Sequence, residues 1–167
     1  MTVAEINAMT RSEFVAHFGF LFEHSSWVVE AAADHRPFAD LAAMETAMNR
    51  VVEEAGGERR LELLRAHPEL AGKAAIDRTL TEASAAEQAS AGLDRLTPEE
   101  YARFHALNDA YRERFGFPFI VCVRLTDKAG VLAQMSERLA NSREAEIATA
   151  LSEVSKIVHL RLMEALA

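Results

Sequence analysis

Apolar residues in this chain recur at steps of three and four and scarcely ever alternate, and that spacing limits the fold more than any other feature of the sequence. Alanine, leucine, glutamate and arginine, all strong helix formers, dominate between the apolar positions. An all-α fold class follows, with too little alternation to build a sheet. Thr10 stands three residues before Glu13, the arrangement in which each side chain satisfies the other's free backbone N–H, so a helix is predicted to start there. Phe14, Phe18 and Leu21 then mark one buried face, which Phe22 and Val29 extend into a second helix. Pro37 is read as a helix beginning, with Leu41, Met44, Met48 and Val51 as the apolar face and Gly56-Gly57 as the stop.

A short helix is predicted over Arg59 to Arg65, closed by His67-Pro68, because proline disfavours helical geometry in the residue before it. His67 is thereby placed at a bend. Thr97-Pro98-Glu99-Glu100 is the strongest start signal, and its helix carries Tyr101, Phe104, Leu107, Asn108 and Tyr111 before Gly116 ends it. The apolar run Phe117 to Val123 that follows is too short for a membrane span and is expected to be extended and buried. Asn141 with Glu144 is read as the start of a last helix bearing Leu151, Val154, Ile157, Val158, Arg161 and Leu162. The expectation is a single compact multi-helix domain over residues 1–167 with one short extended apolar segment near 117–124.

Half of the residues are hydrophobic, enough for a sizeable core, while 26 acidic against 18 basic side chains give a net charge of −8 that disfavours a nucleic-acid partner. The opening residues lack the basic start and apolar stretch of a secretory signal, and no membrane span is expected. A single cysteine, Cys122, fits a reducing compartment, so the expected location is cytoplasmic. Pairing through an apolar helix face into a homodimer is also an expectation.

Four features carry candidate chemistry. His67 at its bend reads either as a cap on the preceding helix or as a proton-transfer group. Ser84, Glu87 and Gln88 fall at i, i+3 and i+4, so a helix would present them on one face; Ser-x-x-Glu is equally a capping box. The run after Gly116 reads as a buried connection whose backbone groups can also border a pocket. Arg161 on an apolar face reads as an ion pair with one of the many acids or as a cation for an anionic substrate. The remaining histidines lack metal-ligand spacing, and Gly56-Gly57 lacks the residues of a phosphate loop, so neither metal nor nucleotide is implied.

Read together, His67-Pro68-Glu69-Leu70-Ala71-Gly72-Lys73, Ser84-Ala85-Ala86-Glu87-Gln88 with Ala91-Gly92-Leu93, Phe104 to Asn108, and Arg114 to Ile120 resemble the 2-oxo-4-hydroxy-4-carboxy-5-ureidoimidazoline (OHCU) decarboxylases, in order and spacing, from Phe14 to Leu162. The resemblance implies a lyase of urate degradation, in purine metabolism, that converts OHCU to S-allantoin without a cofactor or metal. It implies His67 as the central catalytic group and Glu87 as the carboxylate that orients it. Pro68, Ser84, Gln88, the backbone of Phe119, Ile120, Val121, Cys122 and Val123, and Arg161 are the substrate-binding residues it implies. Arg124-Leu125 departs from the resemblance, which leads one to expect glycine after the arginine. Two other classes remain open at this point: a helical module that binds a purine-like ligand without turnover, and a hydrolase with Ser84 as nucleophile.

Overall fold

The computed structural model describes residues 1–167 and contains ten α-helices, two 3-10 turns and no strand. The helices are α1 (Val3–Ala8), α2 (Arg11–Phe18), α3 (Trp27–Ala33), α4 (Leu41–Glu54), α5 (Gly57–Arg65), α6 (Lys73–Ile76), α7 (Glu82–Ser90), α8 (Pro98–Phe115), α9 (Lys128–Arg138) and α10 (Arg143–Leu166). None is long and apolar enough to cross a membrane. Contacts gather the chain into two compact units, Met1–Ala66 with Ser155–Ala167, and His67–Val154.

In the first unit the Thr10–Glu13 capping box starts α2 as expected, and Phe14, Phe18, Leu21, Phe22 and Val29 are all buried. The Phe14 and Phe18 rings pack 5.1 Å apart, and the Arg36 guanidinium lies 4.8 Å from the Phe14 ring centre while donating to the carbonyls of Met9 and Ala33. Pro37 does not begin a helix: it follows a cis bond from Arg36, and α4 starts four residues later, where the Asp40 carboxylate accepts from the Ala43 N–H at 2.7 Å. The buried face of α4 is Met44, Met48 and Val52, a strict four-residue step, so Val52 takes the place predicted for Val51. Gly56, at φ +83°, links α4 to α5, and Gly57 is already helical, which lengthens the helix predicted from Arg59.

The second unit is organised around α8. The Thr97–Glu100 box with Pro98 at the first helical position opens it, and Gly116, at φ +80°, closes it in the left-handed conformation. Its buried face, Phe104, Asn108, Tyr111 and Phe115, continues into Phe117 and Phe119, both of whose rings meet Tyr111 edge-on at 5.8 and 5.3 Å. Phe117 to Cys122 is non-helical and buried, as expected, but Val123–Leu125 turns into a 3-10 helix, so the extended segment stops short of 124. α10 is capped by Ser142, whose hydroxyl accepts from the Ala145 N–H at 3.1 Å, one residue later than the predicted Asn141. Asn141 instead donates to Glu146.

Candidate active site

His67 and Pro68 follow α5 and open a six-residue turn that ends at Gly72, where α6 begins. His67 is buried, 9% exposed. Two residues of the turn are conformationally constrained: Ala71 sits at φ +53°, and a side chain at Gly72 would bring its Cβ to 2.8 Å from that of Glu69. Such a turn needs outside support, and three side chains supply it. The Gln88 carboxamide accepts from the Ala71 N–H at 3.0 Å and donates to the Glu69 carbonyl at 3.4 Å. Asn108 donates to the Leu70 carbonyl at 2.9 Å, and Arg112 pairs with the Glu69 carboxylate at 2.8 Å. The peptide groups from Glu69 to Ala71 are therefore all held from α7 and α8.

α7 begins at Glu82 because the Thr81 hydroxyl accepts from the Ser84 N–H at 3.3 Å. Ser84 is thus the third helical residue and not a cap, which removes the capping-box reading of Ser84 and Glu87. Ser84 and Gln88 lie one turn apart and are buried, with Glu87 half-buried beside them. Gln88 reaches the His67 turn, as described. Glu87 bears on the other neighbour of α7: burial first, then the Glu153 and Glu87 carboxylates, pushes the Cys122 thiol above its ordinary range. α7 also packs against the Val123–Leu125 turn. One short helix thus touches both the His67 turn and the segment leading out of Phe119–Val123.

That segment is buried at every position from Phe119 to Val123. Two of its backbone groups are bound by charged side chains. The Ile120 carbonyl accepts from Arg138 at 2.7 Å, and the Cys122 N–H donates to Glu153 at 3.3 Å. Arg138 also stacks 4.3 Å from the Phe119 ring centre and donates to Glu146, a fully buried carboxylate that further accepts from the Tyr111 hydroxyl at 2.6 Å and the Asn141 amide at 3.1 Å. Burial and the adjoining Glu146 drive the Tyr111 phenol far up, so it stays protonated.

His67, Pro68, Ser84, Glu87, Gln88 and Phe119–Val123 all belong to the second unit. Arg161 belongs to the first, where its buried guanidinium donates to the Phe20 carbonyl at 2.9 Å and pairs with Glu23 at 3.0 Å. The ion pair that is one reading of Arg161 is present, made with Glu23. Sequence reasoning passed over Asn108, Arg112, Arg138, Glu146 and Glu153 as site components. Only Asn108 carried a signal, as a polar residue on an otherwise aromatic helical face.

The sequence model of the OHCU decarboxylase family matches residues 7–163. The chain belongs to the OHCU decarboxylase family. Among its relatives, the 2-oxo-4-hydroxy-4-carboxy-5-ureidoimidazoline decarboxylase of Haloferax volcanii is 45% identical over 98% of this chain and 95% of its own length. The enzyme of the same name from Mus musculus is 39% identical over 99% of this chain and 93% of its own. The crystal structure of an (S)-allantoin synthase superposes with a TM-score of 0.80 at 31% identity; it covers 99% of this chain, which spans 53% of that one. An OHCU decarboxylase crystallised in the presence of (S)-allantoin matches with a TM-score of 0.68 over 91% of this chain and 95% of that one, and at 24% identity the likeness speaks to the fold. The blocks that mark an OHCU decarboxylase in the sequence are the ones that α7 and α8 join: the His67 turn hangs on Gln88 of α7 and Asn108 of α8, and α7 packs against the Val123–Leu125 turn.

Proposed function

We propose that this OHCU decarboxylase converts 2-oxo-4-hydroxy-4-carboxy-5-ureidoimidazoline to S-allantoin in urate breakdown, as a cofactor-independent lyase acting through His67, with residues 1–167 working as one catalytic domain. The observation that carries the reading is that α7 meets both the His67 turn and the Val123–Leu125 turn, so that groups from all three can border one flat polar heterocycle.

In the reaction the bond between the hydroxyl-bearing ring carbon and its carboxylate breaks, and the electron pair passes into the neighbouring carbon–nitrogen double bond as carbon dioxide leaves. One proton then takes the place of carbon dioxide overall. The substrate's own unsaturation absorbs the charge, which is the task a pyridoxal or thiamine cofactor performs elsewhere. An imidazole with an ordinary pKa of about 6.5 suits both proton steps near neutrality, removal from the hydroxyl and delivery to the ureido-bearing carbon. Proton delivery by a fixed imidazole to one face of the planar intermediate gives a single enantiomer.

Glu87 is the carboxylate that orients the imidazole, and Pro68 shapes the wall beside it. Ser84 and Gln88 stand on the same wall to read ureido and ring amides. Backbone groups of Phe119, Ile120, Val121, Cys122 and Val123 line the other side, with the Ile120 carbonyl and the Cys122 N–H fixed by Arg138 and Glu153. Work in the cytoplasm on a small molecule, away from nucleic acid and membrane, fits the net charge of −8 and the single thiol. Pairing as a homodimer belongs to the same proposal.

The test is to add protein to freshly generated OHCU and follow the circular dichroism of the allantoin formed. Rapid appearance of the S form is expected from the wild type, none from His67→Ala, and a weakened rate from Ser84→Ala. A wild-type protein that binds allantoin yet does not exceed the spontaneous decay would overturn the proposal and make the chain a binding module.

A further inference from the structure

We infer that Asn108 is a positioning residue of this reaction, holding the turn that carries His67 by its hydrogen bond to the Leu70 carbonyl; the inference rests on the reading of His67 as the reacting group.

Asn108 occupies a place that core packing alone would give to an apolar residue. It lies on the buried face of α8, one turn after Phe104 and three residues before Tyr111, and is 4% exposed. An asparagine there is a weaker helix former than leucine and carries four hydrogen-bonding positions out of water. Its amide nitrogen reaches the Leu70 carbonyl at 2.9 Å, while its carboxamide oxygen is buried with no hydrogen-bond partner. A half-satisfied amide destabilises the element that buries it. What it adds is a donor aimed across 38 residues of sequence at the turn.

The turn depends on that donor because its own conformation is costly. Ala71 is held at φ +53°, a region that alanine seldom occupies, and nothing helical or sheet-like fixes the chain between His67 and Gly72. Gln88 grips the residues on either side of Leu70, and Asn108 takes Leu70 itself. Arg112, one helical turn further along α8, holds the Glu69 carboxylate. Release of the central contact lets the turn relax at Ala71 and carries His67, three residues upstream of Leu70, away from its place. Misplacement of a reacting group by about 1 Å costs about 100-fold in rate without removing the binding groups.

Two variants separate this role from a structural one. Asn108→Leu replaces the donor by an apolar side chain of similar size, and Asn108→Ala removes it outright. Both are compared with wild type and His67→Ala for kcat, KM, melting temperature and amide hydrogen exchange. The expected result is a kcat lowered by about 10- to 100-fold with KM within about twofold, the Asn108→Leu melting temperature held or raised, and faster exchange at the Ala71 amide while α8 stays protected. If either folded variant keeps kcat within about twofold of wild type while His67→Ala is inactive, the inference fails and the reading of His67 stands. An active His67→Ala removes that reading and the inference with it. Loss of protection throughout α8 in both variants would overturn the positioning role, since Asn108 would then serve the fold.

Discussion

Replacing Glu146 by glutamine changes one oxygen in the interior of the second unit and leaves the Arg138 guanidinium there without a counter-charge. Glu146 is fully buried and Arg138 is 7% exposed, so water cannot take over the role of the carboxylate. The glutamine still offers an oxygen to the Tyr111 hydroxyl, which in the wild type donates at 2.6 Å, so the substitution isolates the charge from the hydrogen bond. Removal of one partner of a buried pair costs about 3 to 5 kcal/mol, because the surviving ion keeps its desolvation penalty and loses its compensation. Against a domain stability of about 5 to 15 kcal/mol that is about a fifth of the total or more.

Urea unfolding followed by far-ultraviolet circular dichroism measures it. With a slope of about 2 kcal/mol per molar urea, the midpoint falls by about 2 M at unchanged slope. Arg138→Met is expected to cost a similar amount, since it strands Glu146 and frees the Ile120 carbonyl that Arg138 binds at 2.7 Å. The double variant removes both charges and should recover much of the loss, giving a coupling energy of about 2 kcal/mol or more. A Glu146→Gln cost below about 1 kcal/mol, or a cycle with no coupling, would refute the claim that this pair is an interior ion pair with a structural task.

Two further outcomes follow from the proton equilibria. The Cys122 thiol, buried and pushed up by desolvation with Glu153 and Glu87 behind it, should resist a thiol-labelling reagent in the native protein and react once the chain is unfolded in urea; fast native labelling would contradict the burial. Glu100 is held below the ordinary carboxylate value of 4.5, first by the Thr97 backbone N–H and then by Lys128. A pKa depressed in the folded state adds stability above the unfolded value and loses it as pH falls through the folded one. The midpoint advantage of wild type over Glu100→Gln should therefore be present at neutral pH and shrink as pH falls below 4.5, and a difference that does not change with pH would disprove the link.

The parts of the fold that could be read in advance are those whose cause is local. The boxes at Thr10–Glu13 and Thr97–Glu100 join groups three residues apart, so the same short stretch contains both the donor and the acceptor. Pro37 misled because proline permits a helix start without producing one; the side chain that caps is Asp40, three residues from the N–H it accepts. The same kind of cap stands at Asp127, which accepts from the Gly130 N–H at 2.7 Å, while Gly130 in the first turn of α9 argues locally against a helix. The bend at His67 was legible since Pro68 alone enforces it, and the α7 face was legible since helical spacing alone aligns Ser84 with Gln88.

What holds the site together has no such local cause. Asn108 and Leu70 are 38 residues apart, and Cys122 and Glu153 are 31 apart, so no short window contains both partners. Glu146 shows the difficulty in its sharpest form. It lies in the first turn of α10, where an acidic side chain is the ordinary choice because it faces the positive end of the helix dipole. That rule accounts for a glutamate at this position and predicts that it points to water. The structure instead buries it completely beneath Tyr111 and Arg138. A residue that satisfies a local rule in full gives no sign of a second task, so the braces of this site are hidden because they break no rule, whereas Asn108 left a trace by standing among aromatic residues where packing gives it no reason to be.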